Sequence, residues 1–224
     1  MNVRDYFENP VVEYSRQDQE RPGTDLLVLL HGYGADELDL MGLAPHLPQH
    51  YTIASVRAPL AIQPGYTWYP LDQNFETNPA DVLAAITGLD SWLAAQAEQY
   101  AAITLLGFSM GMSMATSMVR MAPERYKALV GLSGFAINPE SSPQIAELFD
   151  DEALAARSPK LPMFWGRDQA DPVIRQHLVD YTHGWVQDHV DLTKVVYANM
   201  GHAICAQELG HIGEFLNFVA ARTA

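Results

Sequence analysis

The strongest constraint on the fold is a rhythm of short apolar runs alternating with longer amphipathic stretches from Asp25 onward. Parallel strands joined by crossover helices read this way, because a strand covered on both faces must be apolar throughout. Asp25 to Leu30, apolar after its first residue, is the clearest such strand. It stops at His31-Gly32-Tyr33-Gly34, and acidic residues then open a helix predicted over Asp36 to His46. Further strands are predicted at Tyr51 to Val56, Ala101 to Leu106, Lys127 to Leu132, Leu161 to Trp165 and Leu192 to Ala198. Helices are predicted at Pro79 to Tyr100, Met110 to Met121, about Pro143 to Ala156, Val173 to His189 and Gln207 to Ala221. Asn78 and Pro79 supply a cap and a first-turn proline for the longest of them. A proline- and aromatic-rich loop fills Arg57 to Asn78. The reading is an α/β class chain with a mostly parallel central sheet flanked by helices. No linker divides it, so residues 1–224 are expected to form a single domain.

Composition narrows the function. A formal net charge of −14 repels phosphate backbones and anionic lipid, so nucleic acid and stable membrane insertion are not expected. No stretch approaches the roughly 18 apolar residues that a membrane span needs. Cys205 is the lone cysteine, which excludes an intrachain disulfide and makes a cytoplasmic location the expectation.

Gly107-Phe108-Ser109-Met110-Gly111 matches Gly-x-Ser-x-Gly. A serine used as a nucleophile must project from a sharp strand-to-helix turn, and glycines on either side let strand and helix pass closely. With Gly and Ser each near 7% of residues, chance supplies the pattern in on the order of one chain in fifteen of this length. The context is more specific: an apolar strand precedes the motif and a Met-rich helix follows.

Acyl transfer at Ser109 needs a general base, an acid to orient it and donors for an oxyanion. His202, in Asn199-Met200-Gly201-His202 beyond the last strand, is the candidate base. The other seven histidines lie on helices, in turns or ahead of the serine. Two aspartates on the loop after the Leu161 to Trp165 strand compete for the acid, Asp171 first and Asp168 as the alternative. The backbone N–H groups of Tyr33 and Met110 are the candidate oxyanion donors.

Met110, Met112, Met114, Met118 and Met121 read as core packing and not as a metal-binding surface. His177, His183 and His189, spaced by six, do not share a helical face, so no metal site is expected. Trp68 and Tyr69, in the aromatic loop, are candidate walls of a substrate pocket, with a packed loop as the alternative.

Taken together, Leu30-His31-Gly32-Tyr33-Gly34, Arg57-Ala58-Pro59 to Trp68-Tyr69, Gly107 to Gly111, Asp171-Pro172-Val173 and Gly201-His202 resemble the phospholipase/carboxylesterase family, which includes the acyl-protein thioesterases. The resemblance spans nearly the whole chain. It implies an α/β-hydrolase fold, cofactor-free hydrolysis of acyl esters or thioesters, an acid at Asp171 and an oxyanion donor at Tyr33. The chain departs from the family where Trp165-Gly166 stands in place of a His-Gly pair, with extra residues before Asp171. It departs again at Met110, where the family often has glutamine. The resulting expectation is a serine carboxylesterase acting on a small-molecule acyl ester, with no cofactor and no metal. A thioesterase or lysophospholipase with a longer acyl channel, and a non-catalytic binding module, are the alternatives. The surface is compatible with a monomer or a homodimer.

Overall fold

The computed structural model of the protein describes residues 3–72 and 76–222. Residues 73–75 of the aromatic loop lie outside the described residues. The strands are β1 (Val12–Tyr14), β2 (Asp25–Leu30), β3 (Tyr51–Val56), β4 (Leu60–Ala61), β5 (Tyr66–Thr67), β6 (Ala102–Phe108), β7 (Tyr126–Leu132), β8 (Leu161–Asp168) and β9 (Val190–Tyr197). The helices are α1 (Val3–Tyr6), α2 (Glu37–Met41), α3 (Pro79–Gln96), α4 (Met110–Met121), α5 (Pro143–Ala146), α6 (Asp151–Ala156), α7 (Gln176–His189) and α8 (Ala206–Ala221). Seven strands form one sheet in the order β1-β3-β2-β6-β7-β8-β9, parallel except for the antiparallel β1 edge. The expected mostly parallel sheet flanked by helices is the architecture found.

Side chains of β2 alternate between two apolar cores. Leu26, Val28 and Leu30 pack with α3, α4 and α7, whereas Leu27 and Leu29 pack with α2 and α8. This two-sided burial is why β2 reads as a continuous apolar run. Each buried leucine contributes roughly 1.5–3 kcal/mol. Met112, Met114 and Met118 are fully enclosed beneath the sheet face as core residues, and Met121 packs half-buried at the end of α4. No helix among the described residues is long and apolar enough to cross a membrane.

Several boundaries move for local reasons. The helix predicted to His46 stops at Met41, with Gly42 as its C-cap, and a separate 3-10 turn with Pro45 in its first turn covers Ala44–His46. The helix predicted over 143–156 is two helices, because Asp150 caps a new start by accepting the Ala153 N–H at 2.8 Å. Helix α7 begins at Gln176 instead of Val173, since the Asp171 carboxylate draws the Val173 and Ile174 N–H groups into a turn. Strand β8 runs on to Asp168, its last four residues paired with Lys194 to Tyr197. The three-residue β1 and the two-residue hairpin strands β4 and β5 are too short to carry a periodic signal.

Candidate active site

All the site residues lie at the carboxyl ends of β2, β6, β8 and β9, where the strands hand over to loops. At the end of β6, Ser109 has φ 55° and ψ −119°, a conformation that costs a non-glycine residue of order 1–3 kcal/mol. The turn is held by close backbone contact. A Cβ on Gly107 would lie 2.3 Å from the Gly111 carbonyl oxygen, and one on Gly111 would lie 1.8 Å from the Leu30 oxygen. Only glycine fits at either place, so the spacing in the motif is a packing requirement. The Ser109 N–H donates to the Leu132 carbonyl at 2.8 Å, which ties the turn to β7.

The Ser109 hydroxyl lies 3.0 Å from His202 Nε2, and His202 Nδ1 lies 2.9 Å from Asp171 Oδ2. The carboxylate can only accept, so Nδ1 carries the proton and Nε2 is left to accept from the serine hydroxyl. The Asp171 side chain is fully buried, and its other oxygen accepts the Val173 and Ile174 N–H groups at 2.8 and 3.2 Å. That geometry separates the two aspartates. Asp168 does not reach His202; it accepts the Ala170 N–H at 2.6 Å, the Gly201 N–H at 2.9 Å and the Met200 N–H. These amides, Ala170 first, hold the Asp168 carboxyl below the usual carboxylate range. Asp168 thus anchors the loop that carries His202, while Asp171 touches the imidazole itself.

The loop after β2 comes against the serine turn at Gly32, where an added Cβ would lie 3.3 Å from Ser109 Cβ. Neither the Tyr33 N–H nor the Met110 N–H donates to an acceptor among the described residues. His31 is buried, donating through Nδ1 to the Gly32 carbonyl at 2.7 Å and accepting the Ala58 N–H at Nε2 at 3.0 Å. Burial pushes its pKa below the ordinary histidine value, which fits the neutral ring these partners require.

Ser109 and His202 open onto a cavity of about 390 Å3 walled largely by Leu71, Phe108, Met110, Phe135, Ile174 and Leu178. Trp68 and Tyr69 are not among its walls, which corrects the expectation that they line a pocket. Both are fully enclosed in the core, Trp68 donating from Nε1 to the His31 carbonyl at 2.8 Å and Tyr69 bonded through its hydroxyl to Ser113 at 2.8 Å. Sequence reading missed Phe135, Leu178 and the exposed His177 at the cavity. They come from the loop after β7 and from the first turn of α7, and no local motif announces their convergence. Among the described residues there is no group of three or more His, Cys, Asp or Glu side chains that could hold a metal ion.

Comparison with known proteins gives the lineage. The model of the Phospholipase/Carboxylesterase family matches residues 11–220. A solved structure of esterase PE8 is similar over 88% of this chain and 94% of that one, with 27% identity and a TM-score of 0.74. The Bacillus cereus carboxylesterase covers 98% of this chain and 100% of its own at 17% identity and a TM-score of 0.70. Arabidopsis thaliana SOBER1 matches 88% of this chain and 99% of its own at 19% identity and the same TM-score, 0.70. The last two, at such identity, speak for the fold alone. The chain belongs to the Phospholipase/Carboxylesterase family and has the α/β-hydrolase fold.

Proposed function

We propose that the protein is a serine carboxylesterase that hydrolyses small to medium acyl esters through an acyl-enzyme on Ser109. The observation that carries this reading is the hydrogen-bonded line from Asp171 through His202 to Ser109, opening on a mainly apolar cavity. The Ser109 oxygen attacks the ester carbonyl carbon while His202 Nε2 takes the hydroxyl proton. Negative charge gathers on the former carbonyl oxygen, and the Tyr33 and Met110 N–H groups are the donors that receive it. The carbon–oxygen bond to the alcohol breaks, and His202 returns its proton to the departing oxygen. Water, deprotonated by the same nitrogen, then attacks the acyl-enzyme, releasing the acid and restoring the serine. Asp171 keeps Nδ1 protonated and stabilises the imidazolium formed in each half of the cycle.

The cavity supports the smaller-substrate end of what the family name covers. At about 390 Å3 it stands near the lower limit of ordinary small-molecule sites. Hydrolysis of p-nitrophenyl esters from acetate to palmitate tests the proposal, with wild type and Ser109→Ala compared. Turnover that is greatest for short or medium chains and lost in the variant is the expected result. A maximum at palmitate moves the assignment to a lysophospholipase or long-chain thioesterase, and equal rates in the two proteins overturn it.

A further inference from the structure

We propose that Trp68 and Tyr69 are positioning residues that set the spacing between the two loops bearing the oxyanion donors. This inference rests on the reading of Tyr33 and Met110 as those donors. The two residues form a bridge with one hand on each loop. On one side, Trp68 Nε1–H donates to the His31 carbonyl at 2.8 Å, and the two rings stand 5.4 Å apart, tilted by 37°. The His31 ring in turn holds the Gly32 carbonyl, so the peptide leading into Tyr33 is held at its own oxygen and at the carbonyl before it. The bridging segment adds two backbone bonds of its own, Gly34 N–H to the Tyr66 carbonyl and Tyr66 N–H to the Ala35 carbonyl, each 2.9 Å.

On the other side the donors and acceptors are fixed by chemistry. The Ser113 hydroxyl lies 2.7 Å from the Met110 carbonyl, which can only accept, so Ser113 donates there. The Tyr69 hydroxyl, 2.8 Å from the Ser113 oxygen, therefore donates to Ser113. The chain of bonds runs from Tyr69 through Ser113 to the first residue of α4, whose own N–H is the second donor. Burial pushes the Tyr69 phenol up to about 12, so it stays a donor throughout the working range of an esterase. Thr67, donating from its hydroxyl to the Tyr69 carbonyl at 2.7 Å, stiffens the span between the two hands. A span this short and this fully bonded leaves the two loops little freedom to drift apart. Oxyanion stabilisation depends on donors fixed before charge appears, and small displacements are costly. The pair thus acts on the transition state through the backbone and needs no contact with substrate.

The test uses Tyr69→Phe, which deletes only the phenol oxygen, and Trp68→Phe, which deletes the indole N–H together with part of the buried ring. Rates are taken per active site, titrated by the first-turnover burst of p-nitrophenol. A trifluoromethyl ketone of matched acyl length, which adds to the serine as a charged tetrahedral adduct, reports the oxyanion site directly. The expected result is a fall in kcat of about tenfold for Trp68→Phe and less for Tyr69→Phe, with KM nearly unchanged. Ketone affinity should weaken in parallel with kcat/KM. A purely structural role would lower the number of titratable sites and leave kcat per site and ketone affinity intact, and that outcome overturns the proposal. If Trp68→Phe does not fold, Tyr69→Phe, lacking a single oxygen, carries the same decision. Loss of the serine reading would show separately, as hydrolysis that survives Ser109→Ala.

Discussion

The two halves of the site are held by different forces. The half built on β2 and β6, with Ser109, Gly32 and the start of α4, is fixed by close backbone packing and by neutral hydrogen bonds inside the core. The half built on β8 and β9, with Asp171 and His202, is fixed by carboxylates that gather backbone N–H groups. The first half tolerates almost no added volume but has little to titrate near neutral pH. The second depends on charge, through the Asp168 and Asp171 carboxylates and the amides they hold. Volume should therefore break one half and charge the other.

The largest effect should come from the charge-held half. Asp171→Asn keeps the shape but removes the acceptor that fixes the His202 tautomer, and kcat should drop about 10^4-fold. A loss below about tenfold would mean that Asp171 only packs beside the imidazole. Gly111→Ala probes the packed half. Its methyl group would meet the Leu30 carbonyl at 1.8 Å, so the strand-to-helix turn must open. Overpacking of this kind costs typically about 1–3 kcal/mol and more when backbone must move, read as a lower urea midpoint together with lost activity. Unaltered stability would show that the turn is less constrained than its geometry says.

Glu208 sharpens the comparison, because it places a carboxyl behind the charge-held half. It is fully buried at the start of α8 against Gly166, and its oxygens have no hydrogen-bond partner among the described residues. Burial pushes its pKa up to about 7, opposed by the nearby Cys205 N–H. The folded chain thus holds this proton more tightly than the unfolded one. Its stabilising contribution is full below the ordinary value of 4.5 and is lost as pH rises through about 7. Urea unfolding from pH 5 to pH 8 should show wild type losing on the order of 2–3 kcal/mol more than Glu208→Gln. Parallel curves for the two proteins would contradict this.

The smallest effect on turnover should be that of Asp168→Asn. Asp168 has its pKa lowered by the amides it accepts, so its contribution is present at neutral pH and lost as pH falls through the carboxylate range. The variant should retain most of its kcat at neutral pH, melt at a lower temperature and lose the steep acid limb of stability. A kcat loss matching that of Asp171→Asn would erase the distinction between the two aspartates.

How much of this was legible in the sequence follows the same division. A strand that is apolar on both faces, β2 above all, announces itself, and so does Gly107 to Gly111, because packing permits nothing but glycine at its two ends. The approach of His202 and Asp171 to Ser109 follows from the order of motifs along a parallel sheet. The choice between Asp168 and Asp171 does not, since they stand three residues apart, one ending β8 and the other on the loop beyond it, and only the three-dimensional path decides which reaches the imidazole. Trp68 and Tyr69 mislead for a related reason: an aromatic loop at a sheet edge reads alike whether its rings face a pocket or the core. Phe135 and Leu178 are silent in the sequence because the cavity they wall forms where loops from distant strands converge.

Every step of the proposed cycle passes through the Ser109 hydroxyl oxygen as the attacking atom. Treatment with an alkyl p-nitrophenyl phosphonate, followed by intact-mass and peptide analysis, tests that alone. The prediction is one phosphonyl group per chain, located on Ser109, with esterase activity lost in proportion and no label on Ser109→Ala. Inhibition with the label on another residue, or full activity after Ser109 is completely labelled, would contradict it.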